Sequence, residues 1–386
     1  MPRADVVVIG AGIIGLSTGY RLAKAGARVI VLEKGRVAYE ASSRATGFLS
    51  LRADTPGESP LAQAAERLWD GLDDELGYPT EWTQKGRLWV AASDRQWRDL
   101  QSDHKLYARS GIAFDLIDPA RCRELVPALA PTVRGGIFTP RSGHANPQRA
   151  SQAFAWAMRD RGGELRELTA VTGIRSHNGR VTGVDTTAGP IDAGAVVSCA
   201  GPQTTLIGRM VGVSIPVASV RLEAMITTPL PPLFEVAIVA NGISVRQTRR
   251  GNIHINGGPH EWIGVDIDRE PEKPNTPLLR NIARRAVELM PSLSHAQVLR
   301  SWAGIVEITP DQTTLIERLR EPDGMIIATC SGHGFGMAPS MGVALAELAL
   351  EGRTSMPVGS LGLERFGDLP ADWRERRRWQ PGQYNT

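Results

Sequence analysis

Glycines near the start of the sequence have the spacing of a phosphate-binding turn. They are Gly10, Gly12 and Gly15, and they lie between an apolar run and a segment with helical periodicity. In such a turn the first glycine permits the tight bend, the second lets backbone approach a pyrophosphate, and the third lets helix and strand pack closely. The helix N-terminus, with Ile13 and Ile14, offers free N–H groups and the positive end of its dipole to phosphates. The pattern predicts a dinucleotide site.

The elements around these glycines strengthen that prediction, because a lone glycine turn also occurs in ordinary α/β units. The run 5–9 reads as a buried parallel strand, and a helix with one apolar face follows it. Gly26 is expected to end the helix before a second strand, 29–32. Glu33 then stands where an acid can accept hydrogen bonds from both ribose hydroxyls, and Lys34 follows it.

A second glycine-rich segment, 331–339, favours FAD over NAD. It follows an apolar strand, 325–329, and is predicted to open a helix that runs to about Glu351, with Pro339 in its first turn. Two loop-to-helix junctions far apart in sequence can hold the two ends of one long cofactor, the second pointing its positive end at the flavin ring. The expected contacts in this segment are Gly332, His333, Gly334, Phe335, Gly336 and Met337. We expect no catalytic domain before the first motif.

Composition excludes several classes of protein. The chain has 386 residues, 42% of them hydrophobic and 22% charged, with a net charge of +3, which is typical of a globular protein and gives no case for nucleic-acid binding. The cysteines, Cys122, Cys199 and Cys330, are widely spaced, which argues against zinc, redox disulfides and secretion. We expect no metal site. No apolar run approaches the roughly 20 residues that span a bilayer, and a strand begins where a secretion signal would lie, so a cytoplasmic location is expected.

The pattern of elements predicts a discontinuous nucleotide domain with an insertion. Parallel-type apolar strands occur near both ends, whereas strands at about 222–227, 243–248 and 253–257 dominate the middle, interrupted by one helix at about 277–290. We therefore expect a mixed α/β fold with a Rossmann-like FAD-binding domain and an inserted, mainly antiparallel substrate domain. The predicted FAD-binding segments are 1–82, 146–214 and 308–366. The predicted substrate segments are 83–145 and 215–307, with a C-terminal tail at 367–386.

These motifs together resemble the D-amino-acid-oxidase-like family of FAD amine oxidoreductases, which includes glycine oxidase, sarcosine oxidase and D-amino acid dehydrogenases. The resemblance extends from Asp5 to about Phe366. Besides the two glycine-rich segments, it rests on the run 41–47, on 197–202, and on Trp302-Ala303-Gly304 with Thr309-Pro310-Asp311. It implies further cofactor contacts at Ser42, Ser43, Arg44, Thr46, Gly47, Val171, Cys199, Ala200, Gly201 and Gly304.

The resemblance implies oxidation of the C–N bond of an amino acid or secondary amine. The carbon bearing the nitrogen passes a hydride to the flavin, and the imine product then hydrolyses. This chemistry needs a neutral amine held in the right geometry, and it proceeds without a strong protein base. The family's flavin attachment residues are missing, because Arg44 follows Ser42-Ser43 and no cysteine lies between Arg300 and Asp311. We therefore expect non-covalent FAD.

Departures from the family pattern leave the substrate site open. Many members have an arginine after the Trp-Ala-Gly motif that grips the substrate carboxylate, and it is missing here. Arg246 can substitute for it or can be structural. Glu307 can meet a cationic substrate group or form a salt bridge. His254 stands roughly where sarcosine oxidases carry a lysine tied to oxygen reactivity, or it is a packed strand histidine.

One subgroup matches best, the small flavoprotein subunits of opine oxidases and hydrogen cyanide synthase. Such subunits work with a larger partner that relays electrons, so a partner subunit and a dehydrogenase activity are expected here. A flavin-binding motif also occurs in two other classes of protein considered for this chain. A flavoprotein disulfide reductase needs a cysteine pair after the first helix, and the sequence has none. A flavin-binding subunit with an electron-transfer role and no substrate of its own remains the alternative.

Overall fold

The structure is a computed structural model that describes residues 2–51, 55–266 and 273–385. In chain order the strands are β1 Arg3–Ile9, β2 Val29–Leu32, β3 Phe48–Leu49, β4 Arg87–Ala91, β5 Asp115–Ile117, β6 Gly135–Thr139, β7 Gly143–His144, β8 Glu164–Arg166, β9 Val171–His177, β10 Arg180–Thr186, β11 Ile191–Ser198, β12 Ala218–Pro229, β13 Ala237–Ala240, β14 Ile243–Gln247, β15 Asn252–Ile263, β16 Val298–Ile308, β17 Leu315–Arg318, β18 Met325–Thr329 and β19 Tyr384–Asn385. The α-helices are α1 Ile13–Lys24, α2 Ala41–Arg44, α3 Ser59–Trp69, α4 Leu72–Leu76, α5 Asp94–Ser110, α6 Pro119–Leu125, α7 Pro147–Asp160, α8 Thr204–Met210, α9 Thr276–Leu289, α10 Gly334–Glu351 and α11 Trp373–Arg376.

The first large sheet is mostly parallel and carries both glycine-rich segments. Its strand order is β17-β18-β11-β1-β2-β8, with β10 and β9 continuing from β11. The pairs β1–β11, β1–β2 and β11–β18 are parallel, so their carboxyl ends meet at one edge of the sheet. Helices α1, α7 and α10 pack together on one face and bury the largest apolar core. This arrangement brings Gly10, Cys199 and Cys330 to the same edge.

The second large sheet is antiparallel except for one pair. Its order is β16-β12-β15-β14-β13-β4-β6-β5, and only β13 and β4 run parallel among the described pairs. Ile253 and Ile255 of β15 point into a core that includes Ile282 of α9. Because side chains alternate along a strand, His254 and Asn256 lie on the opposite face. That face is turned towards the first sheet.

The sequence prediction of a mixed α/β fold with a nucleotide-binding sheet and a mainly antiparallel sheet is confirmed. The discontinuous domain boundaries stay a prediction. The chain passes between the two sheets several times, and the fold alone does not fix where one domain ends and the other begins. Within the described residues, no helix combines the length and the apolar character that a membrane span requires.

The helices α3 and α4 are separated at Gly71, which has φ +75°. Two predicted features differ from the structure. The strands β12 and β15 are 12 residues each, longer than the short strands expected. Pro339 lies inside α10 and not in its first turn, because the helix starts at Gly334, one residue after the left-handed residues Ser331 and Gly332.

The C-terminal tail packs in part against the second sheet. Its strand β19 pairs with β15, and Trp379 stacks on Trp262 with ring centroids 4.5 Å apart. Arg374, part of the basic cluster at 374–378, is half-buried and donates a hydrogen bond to the carbonyl of Val217. Aromatic packing therefore holds the tail against the second sheet, while the other arginines of the cluster are exposed.

Candidate functional site

A cavity of about 370 Å³ runs between the two large sheets, and both glycine-rich segments line it. Strands β12, β14 and β15 of the second sheet close it from the other side through Ala224, Ser244 and Asn256. The predicted cofactor residues that line it are Gly10, Gly12, Ile13, Ile14, Glu33, Lys34, Ser42, Arg44, Thr46, Gly47, Val171, Cys199, Ala200, Gly201, Gly304, Gly332, His333, Gly334, Phe335, Gly336 and Met337. Of the predicted cofactor residues, Gly15 and Ser43 do not line the cavity.

The first glycine turn is packed so tightly that side chains do not fit. Gly10 has φ +99°, and a Cβ there would lie 2.5 Å from the carbonyl oxygen of Cys199. A Cβ on Gly15 would lie 1.9 Å from the carbonyl oxygen of Gly10, so only glycine at this position lets α1 pack against the turn. Gly12 is different, because its Cβ would meet only the Ser42 Oγ at 3.1 Å. The second glycine thus faces open space at the start of α1, as close backbone approach of a pyrophosphate requires.

Polar groups at this end hold the turn in place. One carboxylate oxygen of Glu33 accepts the N–H of Ala11 at 2.9 Å and the other accepts the N–H of Gly35 at 2.7 Å. Burial raises the pKa of Glu33, although both N–H groups oppose that shift. The Ser42 Oγ accepts the N–H of Ile13 at 2.9 Å. Apart from that bond, side chains leave the N-terminus of α1 uncapped and without acidic residues, which suits a bound phosphate.

The second helix start closes the opposite part of the cavity. No side chain caps α10, so its first N–H groups are available to a ligand. A Cβ on Gly336 would lie 2.6 Å from the backbone of Phe48 and Leu49, which fixes the helix against β3. Trp69 supports it from behind, donating its Nε1–H to the carbonyl of Gly336 at 2.6 Å and stacking on Phe335.

The run 41–47 joins the two sheets across the cavity. Arg44 donates hydrogen bonds to the carbonyls of Tyr39 and Ala303, and Trp302 Nε1–H returns a bond to the carbonyl of Arg44 at 3.1 Å. A Cβ on Gly304 would approach the Arg44 side chain at 3.4 Å, so glycine lets α2 and β16 lie close together. Ser43 points away from the cavity, with its hydroxyl near the carbonyl of Tyr39 at 3.4 Å.

The thiols at the cavity edge are protonated and form no disulfide. Burial raises the pKa of Cys199 to about 12 and raises that of Cys330 well above its usual range. Both are free cysteines. A buried neutral thiol is a poor nucleophile, so these residues act as small packing groups. Among the described residues no cluster of histidine, cysteine, aspartate and glutamate is arranged to hold a metal ion.

Glu307 lines the cavity and connects the two sheets. One of its carboxylate oxygens accepts the hydroxyl of Thr329 at 2.7 Å and the N–H of Cys330 at 3.1 Å. The side chain is 6% exposed. No cation lies within ion-pair distance of Glu307 in the described part of the chain, so the salt bridge considered from sequence is not formed there. The carboxylate instead pins β16 to the end of β18.

Arg246 and His254 lie beside the cavity but do not line it. They are directly opposite each other on β14 and β15. Along each strand they are two residues from the cavity-lining pair Ser244 and Asn256. Arg246 donates its Nε–H to the carbonyl of Thr46. His254 is 3% exposed, and burial together with the nearby Arg246 charge lowers its pKa well below the usual value. The histidine is therefore neutral, and its ring lies 5.2 Å from that of Trp302.

Sequence reasoning missed several residues that line the cavity. Ser244, Asn256 and Leu222 line it from the second sheet, and Tyr39 and Thr169 line it from the predicted FAD-binding segments. Ser244 and Asn256 alternate with apolar residues on their strands, so period-2 patterning marks them as belonging to the non-core face. The pattern alone does not say what that face meets.

The residues around the cavity fit FAD. The glycine cradle, the acid at Glu33 and two uncapped helix starts form the donor set that a dinucleotide with a flavin needs, and the Cβ positions that would obstruct it are glycines. The family described as DAO, FAD dependent oxidoreductase, matches residues 5–348. The chain belongs to this family, and FAD is its cofactor.

Similar proteins cover nearly the whole chain. Sarcosine oxidase subunit beta of Rhodobacter capsulatus is 29% identical over 94% of this chain and 89% of its own length. The crystal structure of glycine oxidase from Geobacillus kaustophilus has a TM-score of 0.87 and 27% identity, covering 94% of this chain and 99% of that one. L-proline dehydrogenase from P. horikoshii has a TM-score of 0.85 and 29% identity, covering 98% and 99%. The family prediction from sequence is confirmed.

Proposed function

We propose that this chain is an FAD-dependent oxidoreductase that oxidises the C–N bond of an amino acid or secondary amine. The observation that carries the proposal is the cavity between the two large sheets, which reaches from the first glycine turn to the face of the antiparallel sheet. The glycine turn would hold the pyrophosphate of a dinucleotide, and the start of α10 and that sheet line the other end of the cavity. The names of similar proteins, a sarcosine oxidase subunit, a glycine oxidase and an L-proline dehydrogenase, support this class of substrate.

The chain's own residues supply position and a dry environment. Bound FAD supplies the hydride acceptor, and the imine product hydrolyses after release. The clasp of Arg44 with Ala303 and Trp302 keeps the two sheets together around the cavity. The N-terminus of α10 places the positive end of an 18-residue helix at the cavity. Such preorganised groups stabilise developing negative charge without having to reorient.

We propose roles for the three polar residues near the substrate side. Arg246 binds the substrate, because a guanidinium matches the geometry of a carboxylate. His254 is a neutral neighbour, consistent with a reaction that starts from the neutral amine and needs no strong base. Glu307 contributes its negative charge at the cavity wall while its hydrogen bonds hold the end of β18 in place.

We also propose a division into domains and a mode of FAD binding. The FAD-binding domain would comprise 1–82, 146–214 and 308–366, and the substrate domain 83–145 and 215–307, because these segments supply the strands of the first and second large sheets apart from β19 of the tail. The FAD would be bound without a covalent link, since neither attachment residue of the family is present. Acid precipitation should release all of the yellow colour into solution, and colour that stays with the denatured protein would contradict this.

Anaerobic reduction of the isolated, FAD-loaded chain tests the proposed function. A panel of amino acids, N-methyl amino acids, opines and simple amines is added without oxygen, and the loss of the oxidised flavin absorbance is followed. At least one compound with a C–N bond next to hydrogen should bleach the flavin within seconds. A chain that no panel member reduces, but that dithionite reduces fully, would contradict the proposal.

A second candidate function is a flavoprotein subunit of a larger dehydrogenase. The observation that favours it is the match to a protein named as a beta subunit, which covers 94% of this chain. In that case the chain binds a larger electron-transfer subunit. The two functions differ in the isolated chain, because a purely electron-transferring subunit keeps its flavin oxidised whichever amine is added.

A further inference from the structure

A buried acid and a histidine meet at the start of α10, and both line the cavity. Glu58, directly before α3, is 4% exposed, and His333, directly before α10, is half-buried. One carboxylate oxygen of Glu58 lies 3.7 Å from the Nδ1 of His333. The other oxygen accepts the backbone N–H of Thr314 at 2.8 Å, which fixes the carboxylate in place. The two side chains, named here the Glu58–His333 pair, therefore stand at the end of the cavity opposite the first glycine turn.

The spacing of the Glu58–His333 pair favours a charged ring over a neutral one. At 3.7 Å the two atoms are too far apart for a good hydrogen bond but close enough for an ion pair. A neutral imidazole therefore gains little from Glu58, whereas an imidazolium gains an attraction that burial of the carboxylate strengthens. The positive end of the α10 dipole acts on His333 in the opposite direction. A ring between these two influences can gain or lose a proton near neutral pH.

Other titratable groups of the described chain pack around this corner, and their contacts give them other roles. Burial raises the pKa of Cys330, and the charges of Glu307 and Glu58 raise it further, so the thiol stays protonated. Glu307 holds the end of β18 through its hydrogen bonds. Arg365, whose guanidinium donates to the carbonyl directly before β17, is paired with Asp311 at 2.8 Å. The imidazole is therefore the proton-exchanging group of this corner.

The proposed reaction releases a proton that needs an acceptor. An alkyl ammonium has a pKa of about 10, as in lysine, so the substrate arrives as an ammonium at neutral pH. Oxidation starts from the neutral amine, so one N–H bond of the ammonium has to break first. Among the described residues that line the cavity, His333 is the only histidine. Histidine is also the side chain that ordinarily changes its charge nearest to neutral pH.

We propose that His333 accepts the proton of the substrate ammonium and that Glu58 is the positioning residue that stabilises the resulting imidazolium. The inference rests on the proposed function. The N–H bond of the ammonium breaks, its electron pair stays on the nitrogen, and the proton moves to the Nε2 of His333, directly or through one water. Nδ1 faces Glu58, so the ring carries the positive charge next to the carboxylate. The adjacent Gly332 is exposed, which gives the proton a way to solvent before the next turnover.

A pH series of anaerobic flavin reduction tests the proposal with the FAD-loaded protein. Sarcosine or proline, whichever reduces the parent faster, is added from about pH 6 to about pH 10, a range that spans the ordinary values of imidazole and ammonium. The proteins are the parent, His333→Asn, Glu58→Gln and the control His295→Asn. Glutamine keeps an oxygen for the N–H of Thr314, so Glu58→Gln removes the charge and spares that bond. His295 is exposed, so the control removes an imidazole outside the cavity.

In the parent and in His295→Asn, the reduction rate should rise with pH and reach a plateau near neutral pH. His333→Asn should lower the rate at neutral pH roughly a hundredfold, and its rate should keep rising towards pH of about 10, where the substrate loses its own proton. Glu58→Gln should move the rise to lower pH, because the imidazolium loses its stabilising charge. Unchanged pH profiles in both cavity variants would overturn the inference and leave the proposed function intact. No reduction of the parent by either compound would count against both.

A second readout needs no substrate and separates a proton acceptor from a structural pair. The absorbance spectrum of the oxidised flavin is recorded against pH, with the flavin content per chain measured for each protein. The parent and His295→Asn should show one spectral change near neutral pH, Glu58→Gln should show it at lower pH, and His333→Asn should lack it. Such a pattern reports the charge of the ring, which a purely structural role would not move. No spectral change in the parent, or the same change in His333→Asn, would overturn the inference.

Discussion

The nucleotide end of the cavity and the buried polar residues beside it, Arg246, His254 and His144, differ in how their polar groups are satisfied. At the nucleotide end, Glu33 and Ser42 accept backbone N–H groups and hold the glycine turn in place. Among the described residues, neither ring nitrogen of His254 has a hydrogen-bond partner, and neither does the Nδ1 of His144. The polypeptide therefore fixes the shape of the turn by itself, whereas hydrogen bonds offset the burial of the two histidines only in part. Substitutions at the two sites should therefore differ in kind.

The largest expected effect is at the back of the nucleotide end. Gly15→Ala places a methyl group where the carbonyl of Gly10 already lies, at 1.9 Å, and both are backbone positions that no side-chain motion relieves. We expect a loss of roughly 3 kcal/mol in the free energy of unfolding. Denaturant unfolding against Gly359→Ala, whose Cβ meets nothing within 4 Å, measures it. Equal stabilities would show that the turn is looser than described.

At the front of the same turn, a substitution should reduce FAD binding and leave the fold intact. The Cβ that Gly12→Val adds meets only the Ser42 hydroxyl, at 3.1 Å, and no backbone atom, so the chain should fold. Its side chain projects at the start of α1, where a pyrophosphate needs close backbone approach, so the purified protein should contain less than about a tenth of the parent's flavin. Flavin absorbance per chain and circular dichroism together measure this. Full flavin content would place the phosphates elsewhere.

The buried histidines His144 and His254 should make stability depend on pH. His144 has a pKa of about 3 when folded against an ordinary 6.5, so below pH 6.5 the unfolded chain binds a proton that the folded chain does not. The stabilisation is complete above pH 6.5 and is lost progressively as the pH falls towards 3, by up to about 1.4 kcal/mol per pH unit. His254 acts in the same direction. Unfolding midpoints of His144→Asn should fall less steeply than those of the parent and of the exposed-site control His295→Asn. Parallel curves would refute the assignment.

The smallest expected effect concerns oxygen. A positive charge near the flavin favours electron transfer to oxygen, and the neutral His254 supplies none. Reduced protein should therefore reoxidise slowly in air and quickly with an artificial dye, as a dehydrogenase does. Rapid peroxide formation would contradict this prediction and indicate an oxidase.

His254→Lys sharpens this point. Position 254 lies next to Arg246 and outside the cavity lining, so a lysine there is pressed towards its neutral form. We expect less than a tenfold rise in the oxygen rate, compared with His295→Lys as control. A larger rise would place residue 254 against the flavin.

The nucleotide end was predictable because its determinants are local. Strand, glycines, helix and Glu33 all fall within residues 5–33, and each has one steric or electrostatic reason to be there. The second glycine segment was found in the same way, but the start of α10 was misplaced, because Pro339 suggested a first turn that the left-handed Ser331 and Gly332 put earlier.

The substrate side was less predictable because it is built by strand register. Arg246 and His254 meet because β14 and β15 pair at those positions, and His144 joins them from a strand about a hundred residues earlier. Sequence pattern identified two of the three residues and left their roles open. Ser244 and Asn256 were missed, since alternation shows that they avoid the core and does not show that they face a cavity.

An anaerobic titration of the isolated, FAD-loaded chain tests the central claim most directly. Aliquots of proline or sarcosine, the amino acid chosen by the faster reduction, are added without oxygen while oxidised flavin is followed. We predict that absorbance falls in proportion to the amine added and ends near one equivalent of substrate per flavin, with the matching imine hydrolysis product formed. Flavin that stays oxidised in excess amino acid, or that is reduced only when another protein is added, would contradict the account.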